Sequence, residues 1–396
     1  MRCGQKYGYP ERLMPKLVKR ERNCRECLET DSKVQSNVKL SFEPNEKYPS
    51  MANVLEVGQD GNGGYSVVAK ADIDVGKTIL VERPFLAYLN IRYGCKCNIC
   101  LKSNVNLVPC PKCSVAMFCH KECQGSFLHE YECGVKFMED IDENISRMSS
   151  LRLMLLKKRL AAIQTSYPFL KLRIGPNVAK NLDFPWFISN IYNLLIEIPK
   201  IKAMFQSMKH RRFLMHLIGH HALIVKNNNC HSVMTTFSPQ YHLYKLSGIT
   251  ANYFKSSCLP NVFVGDCGGN LVGSTIRPVK KGEHLLTAPI PNLMKPKSER
   301  QHILWIVKQI TCKCVRCEGH TASPEQCLEI SLDPSVYSIR SEYPRLNFRN
   351  VEEVQAFVKK CGEVLTKYGH IMWCHELGMV LTMYMSILSR QSFFLS

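Results

Sequence analysis

Between residues 97 and 133 the chain sets out Cys97-x-x-Cys100, Cys110-x-x-Cys113, Cys119-x-x-x-Cys123 and His129-x-x-x-Cys133. Thiolates and imidazoles suit zinc, and pairs two or three residues apart bring two donors to one ion at little loop-closure cost. Eight such donors within 37 residues satisfy two tetrahedral zinc ions. Cys95, beside the first pair, is a spare thiol that competes for the place of Cys97. So short a segment has little apolar core, so metal loading is expected to drive its folding. Further on, Cys312-x-Cys314-x-x-Cys317 offers three thiols, and a closed structural site needs a fourth ligand from elsewhere.

Two other constellations read as ordinary structure. Cys24 and Cys27 form a C-x-x-C on an expected amphipathic helix over residues 11–30, but no second pair lies nearby, so buried thiols are expected there. His216, His220 and His221 share a helical stretch, yet no carboxylate accompanies them, so interior or boundary histidines are expected rather than a metal site.

The elements that must position the cysteines follow from periodicity. DGNGGYSVVAKADIDVGKTILVE, from Asp60 to Glu82, reads as a glycine turn, a strand, a turn at Asp74 to Gly76 and a second strand. From Val135 to about Val225 the pattern is helical. Short strands are expected between Asn261 and Leu286, then helices to the end, with Val351 to Leu365 and Leu377 to Leu388 the clearest. No period of 20 to 50 residues marks a repeat array.

The 396 residues, 45% hydrophobic and 21% charged, describe a globular chain of two or three compact units. Its longest apolar runs fall short of the roughly 20 residues a membrane span needs. The N-terminal MRCGQKYGYPERL lacks a secretory h-region, which points to a reducing compartment, cytoplasmic and nuclear. There, 20 cysteines argue for metal rather than disulfides. The formal net charge is +19; eleven ligand thiolates and three zinc ions would leave roughly +14. The basic residues are scattered enough that solvated helix faces account for most of them, and no direct nucleic-acid ligand is expected.

The eight-ligand pattern resembles a MYND zinc finger. Upstream, GYSVVAKADIDVGKTILVERPF resembles the opening strands of a SET domain, and downstream SSCLPN, KKGEHLL and ERQHILWIVKQITCKCVRC resemble its core and post-SET segments. Together, over roughly residues 51–318, they resemble the SET and MYND domain-containing family of protein-lysine methyltransferases. YPERLMPKLVKRERNCRECL resembles the end of a tetratricopeptide region in the branch that carries one. The resemblance implies an α+β fold: a split β-rich SET domain with an inserted MYND zinc finger, a post-SET zinc site and helical N- and C-terminal segments. The expected divisions are a tetratricopeptide-like remnant at 1–50, the first part of the SET domain at 51–94 and the finger at 95–135. A helical SET insert at 136–250, the SET core with its post-SET site at 251–318 and a helical region at 319–396 complete it.

The resemblance implies three zinc ions. Cross-bracing in the finger assigns Cys97, Cys100, Cys119 and Cys123 to one, and Cys110, Cys113, His129 and Cys133 to another. The third takes Cys258 with Cys312, Cys314 and Cys317. It also implies S-adenosylmethionine, bound through Gly64, Asn229 and the positions of Lys255 and Ser256. Here Gly64-Tyr65-Ser66 stands for the family's G-x-G, and Lys255-Ser256 replaces an Asn-His pair. A lysine beside the cofactor's sulfonium sets like charge against like charge. The two tyrosines that line the family's lysine channel fall on Pro289 and Lys308; Tyr241, Tyr244 and Tyr253 are the nearest substitutes. Losing one orienting group costs on the order of 10² to 10³ in rate.

These departures predict a protein of the S-adenosylmethionine-dependent lysine methyltransferase class whose catalysis is impaired or lost. Its expected role is a zinc-dependent protein-interaction platform in transcriptional and chromatin regulation. The resemblance implies partners for the finger: proline-containing peptides of corepressors, including histone deacetylase complexes. A monomer is expected. The alternative is an active methyltransferase with an altered site, acting on a protein lysine.

Overall fold

The computed structural model describes residues 38–59, 65–83, 86–89, 97–100, 107–113, 116–133, 186–228, 231–234 and 242–247. It further describes 250–267, 270–290, 292–308, 310–348 and 350–389, with isolated positions between 11 and 22. Sheets and helices are segregated along this mixed α/β chain. The expected N-terminal helix, with Cys24 and Cys27, lies almost wholly outside the described residues, as does Cys95.

The β-rich part begins with a hairpin of β1 (Leu55–Gln59) and β2 (Tyr65–Ala69). A five-stranded sheet follows, built from β3 (Thr78–Glu82), β9 (Lys255–Ser256), β10 (Val262–Cys267), β11 (Asn270–Thr275) and β12 (Leu286–Thr287), in the order β3-β11-β10-β12-β9. β12 lies between two strands that precede it in sequence and pairs with both in parallel. Asn261 fixes it there. Its Nδ2 donates to the His284 carbonyl at 2.9 Å and to Glu283 Oε1 at 3.1 Å, and its Oδ1 accepts from the Leu286 N–H at 2.7 Å. Asn261 is buried, so these bonds satisfy groups that water cannot reach.

The β3–β11 pairing is fastened at its turn. Thr275, fully buried, donates through Oγ1 to the Asp74 carbonyl at 2.6 Å and accepts there from the Lys77 N–H at 2.9 Å. Gly76, at φ +81°, turns the chain between them in the left-handed region that disfavours other residues. At the other end of β3, the buried Glu82 carboxylate accepts from the N–H groups of Thr250 and Ala251, at 2.8 and 3.0 Å. Leu55, Val67, Ile79, Leu80, Val262, Leu271 and Leu285 fill the core between hairpin and sheet.

The C-terminal part is helical, as periodicity predicts: α7 (Pro324–Leu332), α8 (Pro334–Glu342), α9 (Val351–Tyr368) and α10 (His375–Leu388). α9 shows why. Val354, Phe357, Cys361, Val364, Leu365 and Tyr368 recur at three- and four-residue steps and are buried, while Asn350 caps the helix by accepting from the Glu353 N–H. Arg277, from the β-rich part, donates to the carbonyls of Gly369 and Ile371 at 2.7 and 3.0 Å, which ties the helices to the sheet.

A third body consists of α3 (Trp186–Ile196), α4 (Pro199–Met204) and α5 (Met208–Asn228) around Ile188, Ile191, Leu195, Ile201, Leu214 and Ile218. The stretch from 136 to 250, expected to be helical, also carries β7 (His231–Met234) and β8 (His242–Ser247). They join β4 (Leu86–Leu89) in a three-stranded antiparallel sheet of order β4-β8-β7. Pairing with a strand far upstream overrides the local pattern there.

Two outcomes follow. Asn261→Ala removes three hydrogen bonds and leaves the half-buried Leu286 N–H without its acceptor, and should cost about 1–3 kcal/mol, read as a lower urea midpoint at unchanged zinc content. Asp333, which caps α8, is held at about 2, below its ordinary 3.8, first by the hydrogen bond from Lys367 and then by those from the Ser335 N–H and Tyr368. The folded state resists protonation of this group, so its contribution is present above 3.8 and lost as the pH falls toward 2. The gap in urea midpoint between the protein and Asp333→Asn should close across that window.

Candidate metal centres

The described residues between Cys97 and Cys133 form only short regular elements. A two-stranded ribbon of β5 (Val108–Pro109) and β6 (Met117–Phe118) precedes α1 (Lys121–Gln124) and α2 (Phe127–Glu132), whose first turn is capped by Ser126. Cys110 follows β5, Cys119 follows β6, Cys123 lies on α1 and His129 on α2, with Cys133 at its end. Phe118, 1% exposed, packs edge-on against the His129 ring at 4.8 Å.

Three sets of four ligand atoms gather: Cys97, Cys100, Cys119, Cys123; Cys110, Cys113, His129, Cys133; and Cys258, Cys312, Cys314, Cys317. Within each, the ligand atoms all lie within 4.8 Å of one another. Cys100 and Cys119 are 3.4 Å apart, Cys110 and Cys133 3.8 Å, Cys258 and Cys317 3.6 Å. A tetrahedral ion with Zn–S bonds of about 2.3 Å spaces its sulfurs about 3.8 Å apart, whereas a disulfide requires about 2.05 Å. These separations fit a metal and not a cross-link. The finger residues interleave in the two sets that the resemblance implies, and Cys258 meets the post-SET trio.

Proton affinities within the sets point the same way. Hydrogen bonding with Cys100 draws the Cys97 thiol down to about 4, while burial pushes Cys123 up to about 12. Cys314 is drawn down to about 3, first by its hydrogen bond with Cys258, whereas burial first raises Cys133 and Cys312, each to about 11. One thiolate in a crowded set is stabilised by its neighbours' protons and opposes their ionisation. A divalent cation removes that opposition, so these donors fit zinc and would hold it as thiolates. Zinc there would act structurally, with all four positions filled by protein.

The third set has the most elaborate surroundings. Cys258 is fully buried in the loop between β9 and β10, and its N–H donates to Cys314 Sγ at 3.4 Å. α6 (Lys297–Lys308) contributes Gln301, which donates to the Cys312 carbonyl at 2.8 Å and accepts its N–H at 2.9 Å. Arg300 reaches Cys317 Sγ at 3.6 Å. Arg316 donates to the carbonyls of Cys258 and Leu293, at 3.1 and 2.8 Å, and stacks on Trp373 with its guanidinium 3.2 Å from the ring centre. Burial pushes Arg316 down to about 10, which leaves it charged at neutral pH. A tetrathiolate holding a divalent ion keeps two negative charges, and the buried Arg300 and Arg316 balance them.

Sequence reasoning did not single out these arginines, Gln301 or His120. The last lies beside the first set, with Nδ1 2.7 Å from Cys119 Sγ and Nε2 3.6 Å from Cys123 Sγ. Its position directly after Cys119 was the available signal. His216, expected at an interior or boundary position, is exposed on α5 because it faces away from Leu214 and Ile218; the side chains of His220 and His221 lie outside the description.

Of the residues tied to S-adenosylmethionine, Gly64 and Asn229 lie outside the described residues. Lys255 and Ser256 form β9, directly opposite Leu286 and Thr287 of β12. Lys255 is half-buried and Ser256 exposed. Ser66 is 1% exposed on β2. Pro289 stands two residues beyond β12, half-buried, and Lys308 ends α6, its side chain outside the description. Tyr253 packs edge-on against Tyr48 and Tyr65 within the β-rich core, while Tyr241 and the Tyr244 side chain lie outside the description. A lysine in the Asn position does not suit a sulfonium neighbour.

No protein-family model matches the chain. Over 336 residues it is 21% identical to a SET and MYND domain-containing protein of Dictyostelium discoideum, an alignment covering 68% of this chain and 83% of that protein. This distant likeness and the three Cys/His sets fit the same class of protein. No helix among the described residues is long and apolar enough to cross a membrane.

Cys258→Ser tests the third centre. The purified protein should lose one zinc equivalent, by elemental analysis, and melt at lower temperature, since Cys258 also anchors the loop between β9 and β10. Zinc release should grow steeply as the pH falls, because protons compete for the thiolates.

Proposed function

We propose that this chain is a zinc-stabilised SET and MYND-type protein of the S-adenosylmethionine-dependent lysine methyltransferase class, with catalysis impaired or lost, that works as a protein-interaction platform in transcriptional and chromatin regulation. The carrying observation is a contrast within one chain. All twelve cysteine and histidine donors stand in complete sets of four, whereas the positions that the resemblance ties to cofactor and lysine channel hold Lys255, Ser256, Pro289 and Lys308.

The chemistry supports the reading. Methyl transfer to a lysine needs a neutral amine aligned with a sulfonium methyl, so the protein's task is to orient two reactants and disperse charge. Lysines at 255 and 308 add charge of the sign that must leave, and Pro289 brings no hydroxyl. A finger folded around two ions presents a rigid surface at small size, suited to capturing a short peptide. In this reading the residue divisions are those of a split SET domain with the finger inserted at 95–135, and the finger takes proline-containing corepressor peptides.

Calorimetric titration of the zinc-loaded chain with S-adenosylmethionine tests the proposal. No heat at millimolar cofactor, with a cooperative melt and about three zinc ions per chain, is the expected result. Micromolar binding would overturn the loss of catalysis and favour an active enzyme with an altered site. Pro289→Tyr alone should restore no methyl transfer.

A further inference from the structure

From residue 198 to residue 265 the sequence contains no aspartate or glutamate. Within that stretch, Lys200 and Lys202 on α4 and Lys209, Arg211 and Arg212 at the start of α5 lie near one another in sequence across a short elbow. Lys200 pairs with Glu130; Lys202, Lys209, Arg211 and Arg212 are exposed. Large apolar side chains project between them: Met204 is 58% exposed, Met208 69% and Phe213 54%.

Helical spacing sorts these residues. Leu214 and Ile218 turn into the isoleucine-rich core, and the opposite face of α5 carries Met208, Lys209, Arg212, Phe213 and His216. Lys209 and Phe213 are neighbours four residues apart, as are Met208 and Arg212. The first turn of α5 is cationic and has no acidic residue, although that end of a helix favours negative charge. A surface that breaks local electrostatic preference and leaves methionine and phenylalanine in water is out of keeping with a purely solvated face.

We propose that the α4–α5 elbow docks on an anionic membrane surface, with Lys202, Lys209 and Arg212 on lipid phosphates and Met204, Met208 and Phe213 in the headgroup boundary. Charge complementarity selects a polyanion, and the projecting apolar side chains select a lipid one. Three such residues gain nothing against a nucleic-acid backbone, and a single phenylalanine is no stacking platform. The attachment is peripheral: cations at the headgroups, apolar tips just beneath.

Vesicle flotation with the zinc-loaded full chain tests this. The protein should float with phosphatidylcholine–phosphatidylserine vesicles and stay behind with phosphatidylcholine alone. Replacing the cations (Lys202→Gln, Lys209→Gln, Arg212→Gln) should lower partitioning about 100-fold, and replacing the apolar tips (Met204→Ser, Met208→Ser, Phe213→Ser) at least about tenfold. These side chains are exposed, so melting temperatures should hold. If a triple variant melts early, the single changes Arg212→Gln and Phe213→Ser report the same two contributions. Equal flotation with both vesicle types, or no loss on removing the cations, overturns the proposal. So does full binding by the apolar variant with displacement by duplex DNA or polyglutamate, which would make the elbow a general polyanion site.

Discussion

The meeting of Cys258 with Cys312, Cys314 and Cys317 is the contact on which most of the described structure depends. It joins a loop inside the sheet to a segment more than fifty residues downstream. Thiols buried this closely oppose one another's ionisation, so the junction fits a divalent ion, and a tetrathiolate around such an ion would need neutralisation. Arg300 and Arg316 supply it. Because Arg316 also stacks on Trp373 and holds the Leu293 carbonyl, the charge balance of one centre fixes where the C-terminal helices attach. Cys258, Ile276, Leu304, Cys317, Leu365 and Leu381 accordingly belong to a single buried cluster.

The finger obeys a different economy. Its core is little more than Cys97, Cys110, Ala116, Phe118 and Cys123, with strands of two residues and helices of four and six. Elements this short hold no shape by hydrogen bonding alone. The interleaving of the two ligand sets compensates, because neither half of the finger can close without the other.

Much of this was legible in the sequence where ligands sit close together or hydrophobic periodicity runs long. The finger cysteines and His129 announce themselves through spacing, and α9 and α10 through their three- and four-residue steps. Cys258 was not legible from spacing; it came from the resemblance of SSCLPN, since a lone cysteine carries no pattern. The partners of Arg300 and Arg316 were hidden for a similar reason: solvated and buried arginines look alike until tertiary packing is known. The strands β7 and β8 were missed because β8 pairs with β4, more than 140 residues earlier, and β7 pairs with β8 in turn. The placement of Lys255 and Ser256 on β9 adds the geometry of a strand edge to the sequence substitution.

The place of β12, in parallel between β9 and β10, sets an order of events during synthesis. The sheet edges offered by those two strands stay open until residues 286 and 287 have left the ribosome, and β3 waits for a partner whose anchoring Thr275 lies 198 residues beyond Lys77. Pairings of such high sequence separation form slowly. Both ligand sets between Cys97 and Cys133 are complete in the emerging chain while the sheet is still half-built. A nascent chain therefore passes through a long interval with its upstream ligand sets complete and its β-strands unpaired, the condition in which chains most depend on chaperones to keep strand edges apart.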